Sequence, residues 1–436
     1  MEPLFSAVIC GCNAGLFREA LHEVYIPRIQ RGNASFAAKV LGARGALLLV
    51  LAHFFEHGRW GSPVETGIGE QSLTSEDRLF ILMQAGQLLT ATRGVATPEA
   101  LICYERAESL CYSLNRPLLL YVALVGRWRH SFVTDKPTVT MQIAQRIHSL
   151  GREQNDSALK VGAYRALAPT AYFLGDFETA RKYAMRGIEI WRSGGVKSLV
   201  EEVFAPVIVC LIFEALSDWH LGEIASCEAT MAQATSLAKE LNDMYGLAQA
   251  LFSAGLIAHF ARHPGEVERL ASELTELSTR QNFALWLAGG EVLRGWARSA
   301  CGETVEGIAW IEHGIADWVG SGATMVVPYY LALKAEGLHL AGRSSEALEA
   351  ISEAEALAER SEERWWSAEL HRLRGVFLAI LGAEETQIEA SFCAAINTAK
   401  GQKSVSLEKR AEATYAEYRR QKAGGAGGRG FRLPLW

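Results

Sequence analysis

Turn residues recur along this chain about once every 40 residues. After residue 73 they fall at Gly94, Asp135, Gly175, Gly222, His263, Gly302, Gly342 and Gly382, with spacings of 41, 40, 47, 41, 39, 40 and 40 residues. A period near 40 is typical of stacked helical hairpins, in which each hairpin buries its apolar face against its neighbours. The period therefore predicts an all-α solenoid, and it constrains the fold more than any local motif does.

The segment Phe283–Trp318 shows the repeat unit most clearly. An apolar stripe with three- and four-residue spacings runs along each of two predicted helices: Leu285, Ala288, Val292, Leu293, Trp296 and Ala300 on the first, and Val305, Ile308, Ile311, Ile315 and Trp318 on the second. Gly302 lies between them, where a left-handed residue ends the first helix, and glycine adopts that conformation without steric cost. The unit is therefore an antiparallel helix pair.

The composition agrees with one long helical body. Hydrophobic residues make up 49% of the 436 residues, and eleven prolines are few for this length. We predict a helical segment and loop at residues 1–73, a helical repeat domain at 74–422 and a flexible glycine-rich tail at 423–436. Within the first segment, helices are expected at 14–31 and 34–57. Thr74 followed by Asp77 predicts a capped helix start.

Charge and hydropathy argue against several classes of protein. The net charge of −6 and the pI near 6.1 are unlike those of a nucleic-acid-binding protein. The longest apolar run, Ala46–Ala52, is too short to span a bilayer, and the chain opens without the basic region of a signal peptide. We expect a soluble cytoplasmic protein whose eight cysteines are buried free thiols.

The small residues of the second helices resemble those of the tetratricopeptide repeat (TPR). Ala180, Ala184 and Gly187 follow the turn at Gly175, at the positions where that repeat carries small residues. The period here is longer than the usual length of about 34 residues, and the turn at His263 lacks its glycine. The resemblance implies a right-handed superhelical solenoid of antiparallel helix pairs.

Three segments are similar to the C-terminal repeat region of large bacterial signalling proteins: Phe283–Trp318, Pro328–Leu333 and Ser361–Gly375. In that family the repeats follow an ATPase module, often with a class III nucleotide cyclase or a DNA-binding domain ahead of it. The resemblance covers about residues 75–415. It implies a non-catalytic scaffold or regulatory module in signal transduction, which binds a protein or peptide partner such as an ATPase or a cyclase module.

The catalytic parts of that family are not recognised here. No Gly-x-x-x-x-Gly-Lys-Ser/Thr loop is present. The most similar segment is Gly195–Ser198, and it lacks the Gly-Lys order. The sequence therefore predicts no enzyme activity, no cofactor and no metal site. Two alternatives stay open: a fragment or remnant of a multidomain ATPase or adenylate cyclase, and a zinc hydrolase. The second would use His53, Glu56 and His57, with both histidines one turn apart on a helix.

The TPR resemblance also implies a concave groove lined by the first helix of each pair. Counting back from the turns places eleven residues on that surface: Arg129, Arg165, Tyr172, Trp219, His220, Trp296, Tyr329, Glu336, His339, Glu369 and Arg372. Their mixture of arginines, aromatic rings and acids suits an extended peptide with an acidic end and one or two apolar anchors. The alternative is that Trp219 and Trp296 fill space between adjacent repeats.

Two C-terminal features complete the predictions. An acidic cluster is expected to form a solvated helix face: Glu349, Glu353, Glu355, Glu359, Glu362 and Glu363. The apolar end Phe431–Trp436 either stays loose, as chain ends often do, or folds back on the last repeat or docks on a partner.

Overall fold

The computed structural model describes residues 1–31, 43–65, 67, 69–194, 205–424, 431, 433 and 435. In these ranges the chain forms twenty α-helices, and its β-type pairing is a single isolated bridge between Phe55 and Pro63. The chain divides into two compact units, Met1–Val133 and Thr134–Trp436. None of the described helices has the length and apolar character needed to cross a bilayer.

The first unit holds the N-terminal helices. They are α1 (Glu2–Asn13), α2 (Phe17–Glu19, continued by the π-helical stretch Ala20–Gln30), α3 (Arg44–Leu51), α4 (Ser75–Arg93), α5 (Pro98–Ser113) and α6 (Pro117–Thr134), the last residue of which begins the second unit. The predicted capping box at the start of α4 is confirmed. Thr74 Oγ1 accepts from the Asp77 N–H at 3.1 Å, and Asp77 Oδ2 accepts from the Thr74 N–H at 3.0 Å.

Close approach of α4, α5 and α6 depends on two glycines. The ring of Tyr104 on α5 lies against Gly86 and Gly126, where an added Cβ would come within 2.9 and 2.5 Å of ring carbons. Any larger residue at either position would therefore push the helices apart.

The second unit is a stack of helix pairs. Its helices are α7 (Pro137–Glu153), α8 (Ser157–Phe173), α9 (Phe177–Gly194), α10 (Pro206–Leu221), α11 (Ile224–Glu240), α12 (Met244–Phe260), α13 (Pro264–Gln281), α14 (Ala284–Ala300), α15 (Thr304–Gly320), α16 (Val327–Leu340), α17 (Ser344–Ser361), α18 (Ser367–Leu381), α19 (Glu385–Gly401) and α20 (Val405–Ala423). From α8 to α19 each even-numbered helix packs on the odd-numbered one that follows, and α20 has no partner of this kind among the described helices.

The predicted helix pairs are confirmed, and their turns have the predicted geometry. Five turn glycines have φ between +72° and +99°: Gly175, Gly222, Gly302, Gly342 and Gly382. At the sixth turn the left-handed residue is Arg262, with φ of +60°. Small residues bring the helices together, since an added Cβ on Gly295 of α14 would lie 2.5 Å from the Gly307 carbonyl oxygen of α15.

The second unit also makes contacts between repeats that are far apart in sequence. The Arg364 N–H, between α17 and α18, donates to the Phe173 carbonyl at the end of α8 at 2.8 Å. Lys136 at the start of α7 pairs with Glu362 at 3.0 Å. Lys403, between α19 and α20, pairs with Glu178 on α9 at 2.6 Å. The later repeats of this unit therefore close against its earlier ones.

Three sequence expectations require correction or lie outside the described residues. The helix predicted at 34–57 ends at Leu51, and its residues 34–42 are not described. Residues 195–198, the segment nearest to a phosphate loop, also lie outside the description. Of the eight cysteines, Cys10, Cys301 and Cys393 are exposed rather than buried, and the others are buried free thiols.

Candidate partner-binding groove

The structure places most of the predicted groove residues in one interior. Ten of the eleven lie in the second unit, and Arg129 lies on α6 of the first. Nine of these ten are buried: Arg165, Tyr172, Trp219, His220, Trp296, Tyr329, Glu336, Glu369 and Arg372. His339 is half-buried and hydrogen-bonds Ser344 Oγ at 3.0 Å. The surface predicted to meet a partner is therefore covered in this conformation.

A charged cluster forms the centre of this interior. Arg262 donates from Nη1 to Glu336 Oε2 at 2.7 Å and from Nη2 to Glu369 Oε1 at 2.8 Å. Arg372 donates from Nε to Glu369 Oε2 at 2.9 Å and from Nη2 to Oε1 at 2.8 Å. Arg410 on α20 reaches the same Oε1 at 3.2 Å. Three guanidinium groups thus share two carboxylates, and these five side chains come from four parts of the unit.

Burial and mutual charge set the ionisation of this cluster. Burial raises the pKa of Glu336, but the Arg262 guanidinium and the neighbouring His259 together outweigh burial and lower that pKa to about 2. At Glu369 burial is likewise outweighed, here by Arg372 and then Arg410, so its pKa lies well below the ordinary value. Burial lowers the pKa of Arg410 to about 10, since Glu369 compensates only in part. Near pH 7 both carboxylates and Arg410 are therefore charged.

A neutral histidine links the cluster to the aromatic residues. Burial, followed by the charge of Arg262, lowers the pKa of His259 to about 4. Arg262 Nη1 donates to His259 Nε2 at 3.1 Å, so the ring proton lies on Nδ1 and donates to Tyr329 Oη at 2.9 Å. The Trp296 indole N–H donates to Glu336 Oε2 at 2.8 Å. Trp296 and Tyr329 are thereby held by polar as well as apolar contacts.

Stacked rings extend the interior toward α8. Phe177 stacks on His220 at 3.7 Å between ring centroids, and Phe260 stacks on Trp366 at 4.7 Å. Trp365 lies 5.5 Å from Tyr172 and 5.2 Å from Tyr329. Trp365 and Trp366 come from the connection between α17 and α18 and are 1% and 2% exposed. This connection therefore inserts two indoles between repeats that are distant in sequence.

The C-terminal helix α20 covers the same interior. Ser404 Oγ is 2.9 Å from His220 Nδ1, and Ser406 Oγ donates to the Trp219 carbonyl at 2.5 Å. Arg410 donates to the Phe260 carbonyl and lies over the Trp219 ring. The end of the chain reaches the cluster as well, since Arg372 Nη2 donates to the Leu435 carbonyl at 2.6 Å.

The described residues of the tail are Phe431, Leu433 and Leu435. Both leucines are buried, and the Phe431 ring lies 5.1 Å from Tyr418 on α20. These three residues therefore pack on the last helices, while the remainder of the region 425–436 lies outside the description.

Glu336 Oε1 and the indole nitrogen of Trp366 are among the buried polar atoms of this interior that have no hydrogen-bond partner in the described residues. Both side chains are at most 2% exposed. Buried polar groups without partners are uncommon in folded proteins, and they mark places where a water or a polar group of a ligand can bind.

The sequence reasoning missed three residues that organise the site. Arg262 had a signal, because the turn at His263 lacks the glycine that five other turns carry. Glu363 was expected on a solvated helix face but is buried, where it accepts from the Val326 N–H at 3.0 Å and the Trp365 indole at 2.6 Å. Arg410 had no signal, since it enters the site through contacts 150 residues away.

The zinc alternative requires a correction. His53 lies in a short 3₁₀ turn, Phe55 is extended, and His57 has φ of +50°, so the two histidines do not share a helix face. The kink follows from the bridge between Phe55 and Pro63, which holds the backbone extended. Among the described residues, one trio brings metal-ligand atoms within 4.8 Å of one another, and it is the partly exposed Glu291, His313 and Asp317.

Comparison with known proteins places the fold in the TPR-like class. A Rap protein complexed with competence and sporulation factor matches with a TM-score of 0.52 and 12% identity, over 80% of this chain and 99% of that one. A STAND protein with a tetratricopeptide repeat sensor from Pyrococcus horikoshii matches over 88% of this chain and 64% of its own, at 13% identity and a TM-score of 0.40. The Rap likeness shows a shared fold of TPR-like helical repeats.

No family model matches the chain. An uncharacterised protein of Rhizobium meliloti (strain 1021) is 21% identical over 343 residues, which are 78% of this chain and 33% of that protein. The chain thus spans about a third of the length of this curated relative.

Proposed function

We propose that this chain is a non-catalytic TPR-like scaffold module whose groove binds a protein or peptide partner. The observation that carries the proposal is the buried set of charged and aromatic side chains that α8, α10, α14, α16 and α18 direct into one interior. Apolar packing alone would stabilise neighbouring repeats, and buried ion pairs seldom improve on it. Charged groups at these repeated positions therefore favour recognition over simple packing.

The chemistry of Arg372 indicates one part of the partner. Its Nη2 group already donates to a main-chain carbonyl, that of Leu435. A guanidinium also binds carboxylates through paired N–H groups. An acidic residue or the carbonyl of an extended segment can therefore occupy this position, and the aromatic side chains nearby suit apolar anchors.

Two further observations support this proposal at different levels. The Rap protein with the same fold was solved in complex with competence and sporulation factor. The resemblance of Phe283–Trp318 and Ser361–Gly375 to the repeats of bacterial signalling ATPases supports a place in signal transduction beside an ATPase or a nucleotide cyclase.

Selection from a random-peptide display library on the immobilised full-length protein tests the proposal. Enriched peptides should bind the wild type and lose at least tenfold in affinity for Arg372→Met, which keeps the length of the side chain and removes its donors. Arg374→Met is the matched control, because Arg374 lies two residues away, is 45% exposed and pairs with Glu355.

The proposal fails if no peptide is enriched over an unrelated helical protein. It also fails if the enriched peptides bind Arg372→Met and Arg374→Met equally well while both variants keep the wild-type melting temperature.

A further inference from the structure

The helix α20 contacts more of the second unit than the end of a solenoid requires. A terminal helix of a repeat array packs on the pair that precedes it. α20 packs on α19 and α18 in this way, but Ser404 and Ser406 also contact α10 across 184 and 187 residues. Arg410 contacts α12 across 150 residues. The helix α20 therefore lies across the C-terminal ends of α10 and α12, which belong to repeats far from it in sequence.

The polar side chains of α20 complement the C-terminal ends of these two helices. Trp219 and Phe260 lie at the C-terminal ends of α10 and α12, where helix carbonyl groups carry partial negative charge. The Trp219 carbonyl also accepts from the Gly222 N–H at 3.2 Å. Ser406 and Arg410, one turn apart on α20, donate to these two carbonyls. The hydroxyl and the guanidinium are thus spaced to match two neighbouring repeats.

The remaining contacts of α20 are those of an amphipathic helix. Leu407, Ala411, Thr414 and Tyr418 face inward and are buried, at three- and four-residue spacings. Lys409 and Glu412, on the other side, are exposed. Val405 packs on the turn at Gly222, since a Cβ added to Gly222 would lie 3.1 Å from Val405 Cγ1. A narrow apolar stripe with two donors therefore accounts for the docking.

The charge balance makes this docking costly. Without α20, Arg262 and Arg372 balance Glu336 and Glu369. Arg410 brings a third guanidinium to Glu369, and its side chain is only 16% exposed. Burial and the two neighbouring guanidinium groups oppose its charge. Part of the favourable contact energy of α20 is therefore offset by desolvation and repulsion.

We propose that α20 is a displaceable internal ligand of the groove, which a partner helix of the same chemistry replaces. That partner is an amphipathic helix with a hydroxyl side chain followed four residues later by a basic one. This inference rests on the proposed function and names the occupant of the part of the groove that Ser406 and Arg410 contact, beside the position at Arg372. The buried Glu336 Oε1 and Trp366 indole nitrogen offer it two further polar contacts.

Fluorescence anisotropy with a labelled peptide of residues 404–423 tests the inference on the full-length protein. In the wild type the tethered α20 competes with the peptide. In Ser406→Ala/Arg410→Ala the tethered helix is weakened, so the peptide should bind at least tenfold more tightly than it binds the wild type. Lys409→Ala, which removes an adjacent exposed charge, should bind the peptide as the wild type does. A peptide carrying both alanine changes should bind none of the proteins.

Equal affinity of the peptide for the wild type and the double variant would overturn the inference, as would absence of binding to the double variant. If the double variant does not fold, Ser406→Ala alone takes its place, with an expected gain of about threefold from one lost hydrogen bond. The two proposals fail separately. If library peptides bind the wild type and Ser406→Ala/Arg410→Ala with equal affinity, the proposed function is intact and the inference is contradicted.

Discussion

Arg262 is the residue that most clearly departs from the repeat pattern. It takes the left-handed conformation, with φ of +60°, where the other helix pairs of the second unit have glycine at the equivalent turn. A side chain in that conformation costs about 1–2 kcal/mol. The contacts of its guanidinium with Glu336, Glu369 and His259 offset this strain. Arginine replaces the usual turn glycine here because its guanidinium is needed in the interior.

We expect Arg262→Gly to destabilise the protein by about 2–4 kcal/mol. The change relieves the backbone strain, but it leaves Glu336 buried without its guanidinium, and breaking a buried pair typically costs about 3–5 kcal/mol. Adding Glu336→Gln should recover part of the loss, because the uncompensated charge is then removed. Urea unfolding of both variants measures this, and an unchanged midpoint for Arg262→Gly would contradict the role assigned to the cluster.

Glu363 gives a pH-dependent prediction. Burial raises its pKa to about 7 from an ordinary value of 4.5, although hydrogen bonds from Trp365 and Val326 oppose the shift. The folded state therefore holds this proton more tightly than the unfolded state, and stability falls as pH rises from about 4.5 to about 7. The loss is on the order of a few kcal/mol, since one pKa unit corresponds to about 1.4 kcal/mol.

Glu363→Gln should remove this contribution. The variant should gain stability relative to the wild type at pH 8 and gain less, or lose, at pH 4.5. Thermal melts at the two pH values measure the difference. His259 acts in the opposite direction, because its lowered pKa makes stability rise with pH between about 4 and 6.5. If the melting temperatures of the wild type and Glu363→Gln differ by the same amount at both pH values, Glu363 is ionised throughout.

Gly342 provides a test of the turn geometry alone. Its φ is +78°, and an added Cβ would meet no atom within 4 Å. Gly342→Val should therefore cost about 1–2 kcal/mol from the backbone conformation, with no contribution from a clash. An unfolding midpoint equal to that of the wild type would contradict the turn.

At the scale of helices, the sequence was sufficient to predict the pairs. The period of turn glycines and the apolar stripes are local signals, so helices, turns and most of the inward faces of Phe283–Trp318 could be read directly. Val305 was wrongly expected on the inward stripe, since it lies in the first turn of α15 and is 85% exposed. The helix predicted at 34–57 was wrong beyond Leu51, because an apolar composition does not reveal the bridge between Phe55 and Pro63. The same limit applies to Glu363, because its partner Val326 is 37 residues away along the chain.

Because small residues line the second helices, a bulky substitution there should disturb the packing of the helix pair. Ala347 and Ala354 on α17 are fully buried. Ala347→Trp should overpack the interface with α16 and destabilise the protein by about 1–3 kcal/mol or more. Ser345→Trp is the matched control, since Ser345 is exposed on the same helix and should tolerate the ring. Equal melting temperatures for the two variants would show that the helix faces another way.

At the scale of the whole second unit, the period placed candidate groove residues on the first helices but could not show what covers them. Nine of these residues are buried, partly beneath α20. The contacts that cover them join residues 150 to 187 positions apart. No repeat pattern encodes such contacts, because each repeat specifies only its neighbours. The position of the candidate groove residues on the first helices could thus be predicted, whereas what covers them could not.

A displaceable α20 leaves the groove while the repeats stay folded. Amide hydrogen exchange of the wild-type full-length protein measures this directly, by comparing the opening free energies of α20 and α18. We predict that amides of α20 exchange through a local opening whose free energy is at least about 2 kcal/mol below that of α18, whose amides should exchange only on global unfolding. If the amides of α20 and α18 exchange with the same opening free energy, α20 is a fixed part of the core and no partner helix displaces it.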